Sequence, residues 1–176
     1  KSKTVAAGLP DSVPGWLAAL GEVQKAGFDP DEFFAKSEFL FEYYPEILAS
    51  LWGGKADVAV LPTCMLEALE KDGLVATDQL KVLHDKSDEA LACKRSTDLY
   101  PDLSLVGFSW TPEKMARDVT VALMSQKTDA PYEWLSYVSH ANVDELFRDL
   151  KAGPYSYLRD FSLKALYARH TVAFWA

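Results

Sequence analysis

The chain has 176 residues, 49% of them hydrophobic and 25% charged, which is typical of one domain with a substantial core. Its formal net charge of −8 excludes a general nucleic-acid or anionic-membrane surface, because those partners favour basic faces. No apolar run reaches the roughly 18 residues of a membrane span, and no signal-peptide pattern opens the chain. The apolar patterns at both ends lead us to expect a fragment of a longer protein.

The first half of the sequence alternates strand and helix patterns. Residues 3–9 predict a strand ending at Pro10, and residues 12–27 predict a helix that begins at Ser12 and ends at Gly27. The further predicted elements are a helical turn at 28–34, a strand at 37–43, a helix at 44–54, a strand at 56–62, a helix at 63–73 and a strand at 80–85.

The run ADVAVLP at 56–62 is the clearest strand pattern, because a continuous apolar run is typical of a strand buried on both faces of a parallel sheet. The alternation predicts an α/β fold, an open and mainly parallel sheet flanked by helices. The second half adds a strand at 103–109, a helix at 111–126 with Thr111 and Glu113 in its first turn, and helices at 143–153 and 156–176. We assign residues 1–176 to one domain.

Two loops follow predicted strands at the carboxyl end of the sheet, where open parallel sheets bind ligands. In the first, Ser12 and free backbone N–H groups can hold an anion, although capping the helix is the usual role of such a serine. In the second, Thr63 is a candidate helix cap and Cys64 lies in the first turn. A cysteine there can be reactive through a lowered pKa, and burial or a disulfide is the alternative.

The second cysteine, Cys93, begins the run CKRST, and 29 positions separate it from Cys64. In an oxidising compartment a bridge over this distance would contribute about 3 to 4 kcal/mol in the chain-entropy model. In a reducing one the pair would be two inert thiols or a redox switch. The spacing alone leaves these alternatives open.

Motifs for metal, cofactor and catalytic chemistry are missing from the sequence. His84, His140 and His170 are isolated, and two cysteines at this spacing fit no zinc pattern. There is no GxGxxG, P-loop or GxSxG motif. We therefore expect no metal, no cofactor and no enzymatic activity, with a cysteine-dependent redox enzyme as the alternative.

Aromatic residues are candidates for a ligand cleft or for the core. We expect most of them, including the tyrosines of EYYPE, to pack in the core. The turn GPYSYL at 153–158 is the better functional candidate, because Gly153 and Pro154 present Tyr155 at the start of a helix.

Several motifs together resemble a known family. The order KTVAAGLPDSVPG, AGFDPDEFF and LWGGKADVAVLP is similar to the second lobe of the phosphate/phosphonate-type periplasmic solute-binding proteins. ADVAVLPTCMLE, CKRSTDLYPD and LKAGPYSYLRD more specifically resemble the sensing region of tetrathionate-sensor-like histidine kinases. The two cysteine motifs in the same order are the most specific part of this resemblance.

The resemblance implies an extracytoplasmic, non-enzymatic sensing domain of a membrane-tethered two-component kinase. It implies a type II binding-protein fold, of which this chain is largely the second lobe plus C-terminal helices. The implied partners are a small anion, with a sulfur oxyanion as candidate, the missing N-terminal lobe and, as an option, a second copy in a homodimer. A substrate-binding component of an ABC transporter is the alternative.

The resemblance also suggests roles for the candidate residues. Phosphonate binders carry a hydroxyl-rich turn at the helix start, whereas here only Ser12 fits. Lys94, Arg95, Ser96 and Thr97 would add donors for a multi-oxygen anion, and solvent-facing cations are the alternative. In an extracytoplasmic protein Cys93 would pair with Cys64, and a sharper hypothesis makes this pair a sensor that exchanges with an oxidised sulfur ligand.

Overall fold

The structure, a computed structural model, describes residues 3–41, 43–89, 91–101, 103–126, 134–135 and 138–159. Their contacts divide them into two units. One comprises the described residues up to Leu99 and from Val143 onward, and the other those of Tyr100–Asn142. No helix within these residues is long and apolar enough to cross a membrane.

A three-stranded parallel sheet organises the first unit. Its strands are β1 (Thr4–Ala7), β2 (Lys36–Phe39) and β3 (Val58–Ala59), in the order β2-β1-β3. Val5 of β1 is paired with Ser37 on one side and with Val58 on the other. The predicted α/β fold with an open parallel sheet is therefore confirmed for this unit.

The strand buried on both faces is β1, and the prediction that 56–62 holds this position is wrong. Val5, Ala6 and Ala7 are fully buried at the centre of the sheet. Within the ADVAVLP run the strand β3 covers only Val58–Ala59, and both of these residues are half-buried. An edge strand has a neighbour on one side only, so an apolar run there need not be enclosed.

The helices follow the predicted order with small changes at their ends. A single wide turn, Val13–Leu17, leads into α1, and Gly27 ends this helix with φ 83°. The α-helices are α1 (Ala18–Lys25), α2 (Tyr44–Trp52), α3 (Met65–Lys71), α4 (Glu113–Met124) and α5 (Ala141–Asp149). Short 3₁₀ helices span Thr77–Gln79 and Gly153–Leu158. The helix predicted at 156–176 lies outside the described residues from 160 onward.

The core of the first unit lies between the sheet and α2. Ile47 of α2 is fully buried against Ala6 of β1 and Ala56. The next residue of α2, Leu48, packs with Leu69 of α3 and with Val75. Burying these apolar side chains fixes α2 and α3 beside the strands, and so positions the loops that lead into both helices.

Two predicted strands, at 80–85 and 103–109, are wrong. In the first segment Leu80 packs on the core, but Leu83 is 53% exposed and His84 turns the chain with φ 52°. In the second, Leu103 and Val106 are 90% and 80% exposed. An apolar run forms a strand only where a neighbouring strand can pair with it, and neither segment has such a neighbour among the described residues.

The second unit consists of irregular chain and α4, none of whose residues is buried. Lys114 pairs with Asp118, and Arg117 with Glu113, both at 2.9 Å along the helix surface. The residue before the helix is Pro112, and no side chain caps it, so the prediction that Thr111 lies in the first turn is wrong. Glu113 does lie in the first turn.

Candidate ligand-binding site

The carboxyl ends of the three strands bring three loops together at one edge of the sheet. These loops are residues 8–12 after β1, 40–43 after β2 and 60–64 after β3. The first two abut closely, because a Cβ built on Gly8 would lie 3.4 Å from the carbonyl oxygen of Phe41. Leu40 and Leu61 pack on the same core cluster under α2. We call this region the carboxyl edge.

Ser12 sits at the carboxyl edge as the N-cap of the first helical turn. Its Oγ accepts a hydrogen bond from the Gly15 N–H at 3.2 Å, and its carbonyl accepts from Trp16 and Leu17 at 3.0 and 2.9 Å. The capping role considered from the sequence is therefore present. Capping uses Oγ as an acceptor, so the hydroxyl of Ser12 keeps its own proton as a hydrogen-bond donor, and the N–H of Val13 is one of the first N–H groups of the turn, which have no partner within it.

Two aromatic residues lie in a loop of the same edge. The sequence analysis did not identify them as candidates for the site. Phe41 is 73% exposed and Tyr43 61% exposed, although the EYYPE tyrosines were expected to be core. Tyr43 is the N-cap residue of α2, and Phe41 has φ 52°. The signal that could have found them is position, since they follow β2 by two and four residues, where loops of parallel sheets meet ligands.

Thr63 and Cys64 occupy the third loop, but in different roles from those predicted. Thr63 is exposed and does not cap α3, which begins at Met65. Cys64 is the N-cap residue and has φ 68°, in the left-handed region that non-glycine residues rarely adopt. The carboxyl edge thus contains two left-handed non-glycine residues, Phe41 and Cys64, one after each outer strand.

Cys64 and Cys93 form a disulfide, with their Cα atoms 5.0 Å apart. The pairing implied by the family resemblance is thereby confirmed. The bridge attaches the CKRST run to the start of α3, directly after the third loop of the carboxyl edge.

The side chains of the CKRST run serve mainly to hold the run itself. The guanidinium of Arg95 is only 9% exposed; it pairs with Asp88 and donates to the Thr97 carbonyl at 2.9 Å. The Thr97 hydroxyl donates to the Asp98 carbonyl. Lys94 is exposed, and its backbone N–H donates to Glu67 Oε1 at 2.8 Å. Ser96 is half-buried.

A cluster of four charges ties the end of this run to α1. Lys86 Nζ lies 2.7 Å from Glu22 and 2.9 Å from Asp98, and Lys25 Nζ lies 2.6 Å from Asp98. Hydrogen bonds from Lys25 and Lys86 lower the pKa of Asp98 from its ordinary 3.8 to about 2. Burial raises the pKa of Glu22, but the Lys86 and Asp98 hydrogen bonds and both lysine charges outweigh it and lower that pKa.

Tyr155 lies against α5. Its hydroxyl donates to Asp144 Oδ1 at 2.7 Å, and the Arg148 guanidinium stands over its ring at 5.3 Å. Of the predicted ligand-binding residues, Ser12 and Thr63 lie in loops of the carboxyl edge, and the disulfide holds the start of the CKRST run beside the third loop. Among the described residues, Ser12 forms no hydrogen bond with Tyr155 or with any residue from Lys94 to Thr97. The ligand-binding roles of all seven stay predictions.

Metal chemistry has no visible basis in the described part of the chain. It contains no group of three or more His, Cys, Asp or Glu side chains placed to hold a metal ion. In the second unit, Ser104 Oγ and His140 Nε2 lie 3.1 Å apart, an exposed pair.

Comparison with known proteins gives a family and one relative. Residues 1–149 match the family described as the periplasmic substrate-binding protein of phosphonate ABC transporters. The chain is 29% identical over 154 residues to the tetrathionate sensor histidine kinase of Salmonella typhimurium, which covers 86% of this chain and 25% of the relative. The chain thus spans about a quarter of the length of that kinase. No solved structure matches.

Proposed function

The chain belongs to the phosphonate-type family of periplasmic substrate-binding proteins, and from this premise we propose that it senses a small anionic ligand at the carboxyl edge. The proposed role is that of the extracytoplasmic sensing domain of a two-component histidine kinase. It rests on the similarity to a sensor kinase over most of the chain. The family supports a small-molecule ligand and an extracytoplasmic location.

The observation that carries this proposal is the convergence of donors and exposed aromatic rings at one edge of a parallel sheet. Ser12 and the Val13 N–H supply donors at the start of a helical turn, where the backbone dipoles also favour negative charge. Phe41 and Tyr43 are exposed in the neighbouring loop after β2. Rings that exclude water would strengthen hydrogen bonds to an anion held between them.

Several finer features belong to the same proposal. We infer a type II binding-protein fold in which this chain is largely the second lobe, so that an N-terminal lobe of the same protein would complete the cleft. The sensing domain would itself be non-enzymatic and would transmit ligand binding to a membrane-tethered kinase. A sulfur oxyanion is the ligand class that the relative's name supports.

The family description favours one second function, the substrate-binding component of an ABC transporter. Both functions use the same site and differ in what is attached to it. The coding sequence downstream of residue 176 distinguishes the two functions. Kinase motifs encoded there would support the sensor, and a binding protein without an attached kinase would support the transporter component.

The test is titration calorimetry with phosphate, methylphosphonate, sulfate and tetrathionate as separate titrants. We expect saturable binding of at least one of them, weakened about tenfold or more in Ser12→Ala, since a hydrogen bond to a charged group is worth about 1.5 to 3 kcal/mol. Ser96→Ala is the matched control from the CKRST run. No binding of any anion, or weakening by Ser96→Ala alone, would contradict the proposal.

A further inference from the structure

The segment that carries Cys93 has almost no apolar attachment to the fold. We call residues 85–89 and 91–98 the bridged segment; none of them is buried. The hydrophobic effect, which fixes α2 and α3, therefore contributes little here. The segment depends on polar contacts and on the disulfide.

The polar contacts hold one end of the bridged segment more firmly than the other. We call Lys86 and Asp98, which pair with each other, its base. The base is tied to α1 because Lys86 pairs with Glu22 and Asp98 pairs with Lys25. Residues 91–94, which we call the tip of the segment, are joined to α3 by the disulfide and by the hydrogen bond from the Lys94 N–H to Glu67. Opening the disulfide would consequently release the tip while the base stays in place.

The groups beside the disulfide include two unsatisfied atoms. Within the described residues, Glu67 Oε2 and Arg95 Nε are buried without a hydrogen-bond partner. Buried polar atoms of this kind destabilise the arrangement that encloses them. Once the disulfide is open, movement of the tip away from α3 would expose these two atoms to water. Their hydration would lower the free energy of the open arrangement.

Cys64 connects the disulfide to the proposed ligand site. Its φ of 68° is disfavoured for any residue with a Cβ, and it lies one residue after Thr63 at the carboxyl edge. The bridge to Cys93 constrains this conformation from outside the loop. Without the bridge, Cys64 can relax toward ordinary backbone angles and displace Thr63.

We infer that the Cys64–Cys93 disulfide is a site of thiol–disulfide exchange, and that its opening by a dithiol loosens both the tip of the bridged segment and the carboxyl edge. A thiolate of the dithiol attacks one cysteine sulfur, forming a mixed disulfide and releasing the other cysteine as a thiolate that takes up a proton. The second thiol of the dithiol then displaces the first cysteine. The dithiol is oxidised to its disulfide, and Cys64 and Cys93 become two thiols.

Hydrogen exchange with mass analysis tests this inference without any ligand, using dithiothreitol as the dithiol. Alkylation should show two modified cysteines in folded protein. The exchange rate of the backbone amide hydrogens should then rise about fivefold or more at residues 91–94 and at Thr63 to Met65. This factor is expected because one left-handed non-glycine residue relaxes. Residues 97–98 should change less than twofold, since the charge cluster remains.

A pair of double variants separates backbone relaxation from general loosening. Both lack the bridge: Cys64→Ala with Cys93→Ala, and Cys64→Gly with Cys93→Ala. Glycine accepts φ 68° without a steric penalty. We therefore expect faster exchange at Thr63 to Met65 in the alanine variant than in the glycine variant, whereas ordinary flexibility would give the opposite order.

Three results would overturn the inference. One is a disulfide that reacts with dithiothreitol only after global unfolding. Another is unchanged exchange at Thr63 to Met65 on reduction, and the third is faster exchange there in the glycine variant. The regulatory meaning rests on the proposed ligand site, but these readouts do not. Failure to bind an anion and failure of the disulfide exchange are therefore distinguishable.

Discussion

Ser12 combines two tasks that can be separated by substitution. Its Oγ accepts the Gly15 N–H and so stabilises the first turn before α1, whereas its hydroxyl proton is available to a ligand. Aspartate is as good an N-cap as serine but carries a negative charge. Serine and aspartate at position 12 should therefore cap the turn equally well, but only aspartate adds a negative charge at the carboxyl edge.

We predict that Ser12→Asp keeps the free energy of unfolding within about 0.5 kcal/mol and abolishes anion binding, because the cap is retained and the new charge repels the ligand. Ser12→Ala should instead cost about 1 kcal/mol of stability through loss of the cap. Urea unfolding and calorimetry on the same samples check both values. Undiminished anion binding by Ser12→Asp would place the ligand elsewhere.

Tyr43 provides a second test at this scale. Its side chain is 61% exposed, so removing it should change the unfolding free energy by less than about 0.5 kcal/mol. If the ring borders the ligand, Tyr43→Ala should weaken binding measurably. Tyr157→Ala, which removes another exposed tyrosine far along the sequence, is the control and should leave binding unchanged.

The bridged segment depends on the disulfide and on polar contacts rather than on a buried core. Because no residue in it is buried, the disulfide should supply much of its stability. We predict that Cys64→Ser with Cys93→Ser lowers the free energy of unfolding by about 3 to 4 kcal/mol, the value for a loop of this length. Chemical denaturation under non-reducing conditions measures it, and a loss below about 1 kcal/mol would mean that polar contacts suffice.

The charge cluster at the base makes this element sensitive to acid. A lowered carboxyl pKa stabilises the fold above the unfolded-state pKa, and this stabilisation disappears as the pH falls through the folded-state pKa. For Asp98 the window runs from about pH 4 to about pH 2. The stability difference between the wild type and Asp98→Asn should be constant above pH 5 and vanish near pH 2, as urea titrations at each pH will show.

The elements that local chemistry determines were predictable from the sequence. The Ser12 cap, the Gly27 stop and the periodicity of α2 each depend on a few neighbouring residues. The centre of the sheet was not predictable, because Thr4–Ala7 and 56–62 have similar apolar patterns and only strand order decides which is enclosed. The exposed position of Tyr43 likewise depends on where α2 begins relative to β2.

At the scale of the whole molecule, the fold concentrates unusual backbone geometry and open donors at one place. Of the four non-glycine residues with positive φ in the described chain, Phe41 and Cys64 lie in loops at the carboxyl edge. Strained backbone of this kind is often retained at binding sites, where it positions ligand-contacting groups. The ligand site that we propose lies at this carboxyl edge.

We place the ligand at the carboxyl edge, and an NMR titration of the backbone amides can locate it. The ligand is whichever anion binds in the calorimetric panel. We predict the largest chemical-shift changes at Val13, Tyr43 and Thr63, with little change from Lys94 to Thr97. Chemical-shift changes confined to the backbone amides of Lys94 to Thr97, with the amides of the carboxyl edge unchanged, would show that the ligand does not bind at this edge.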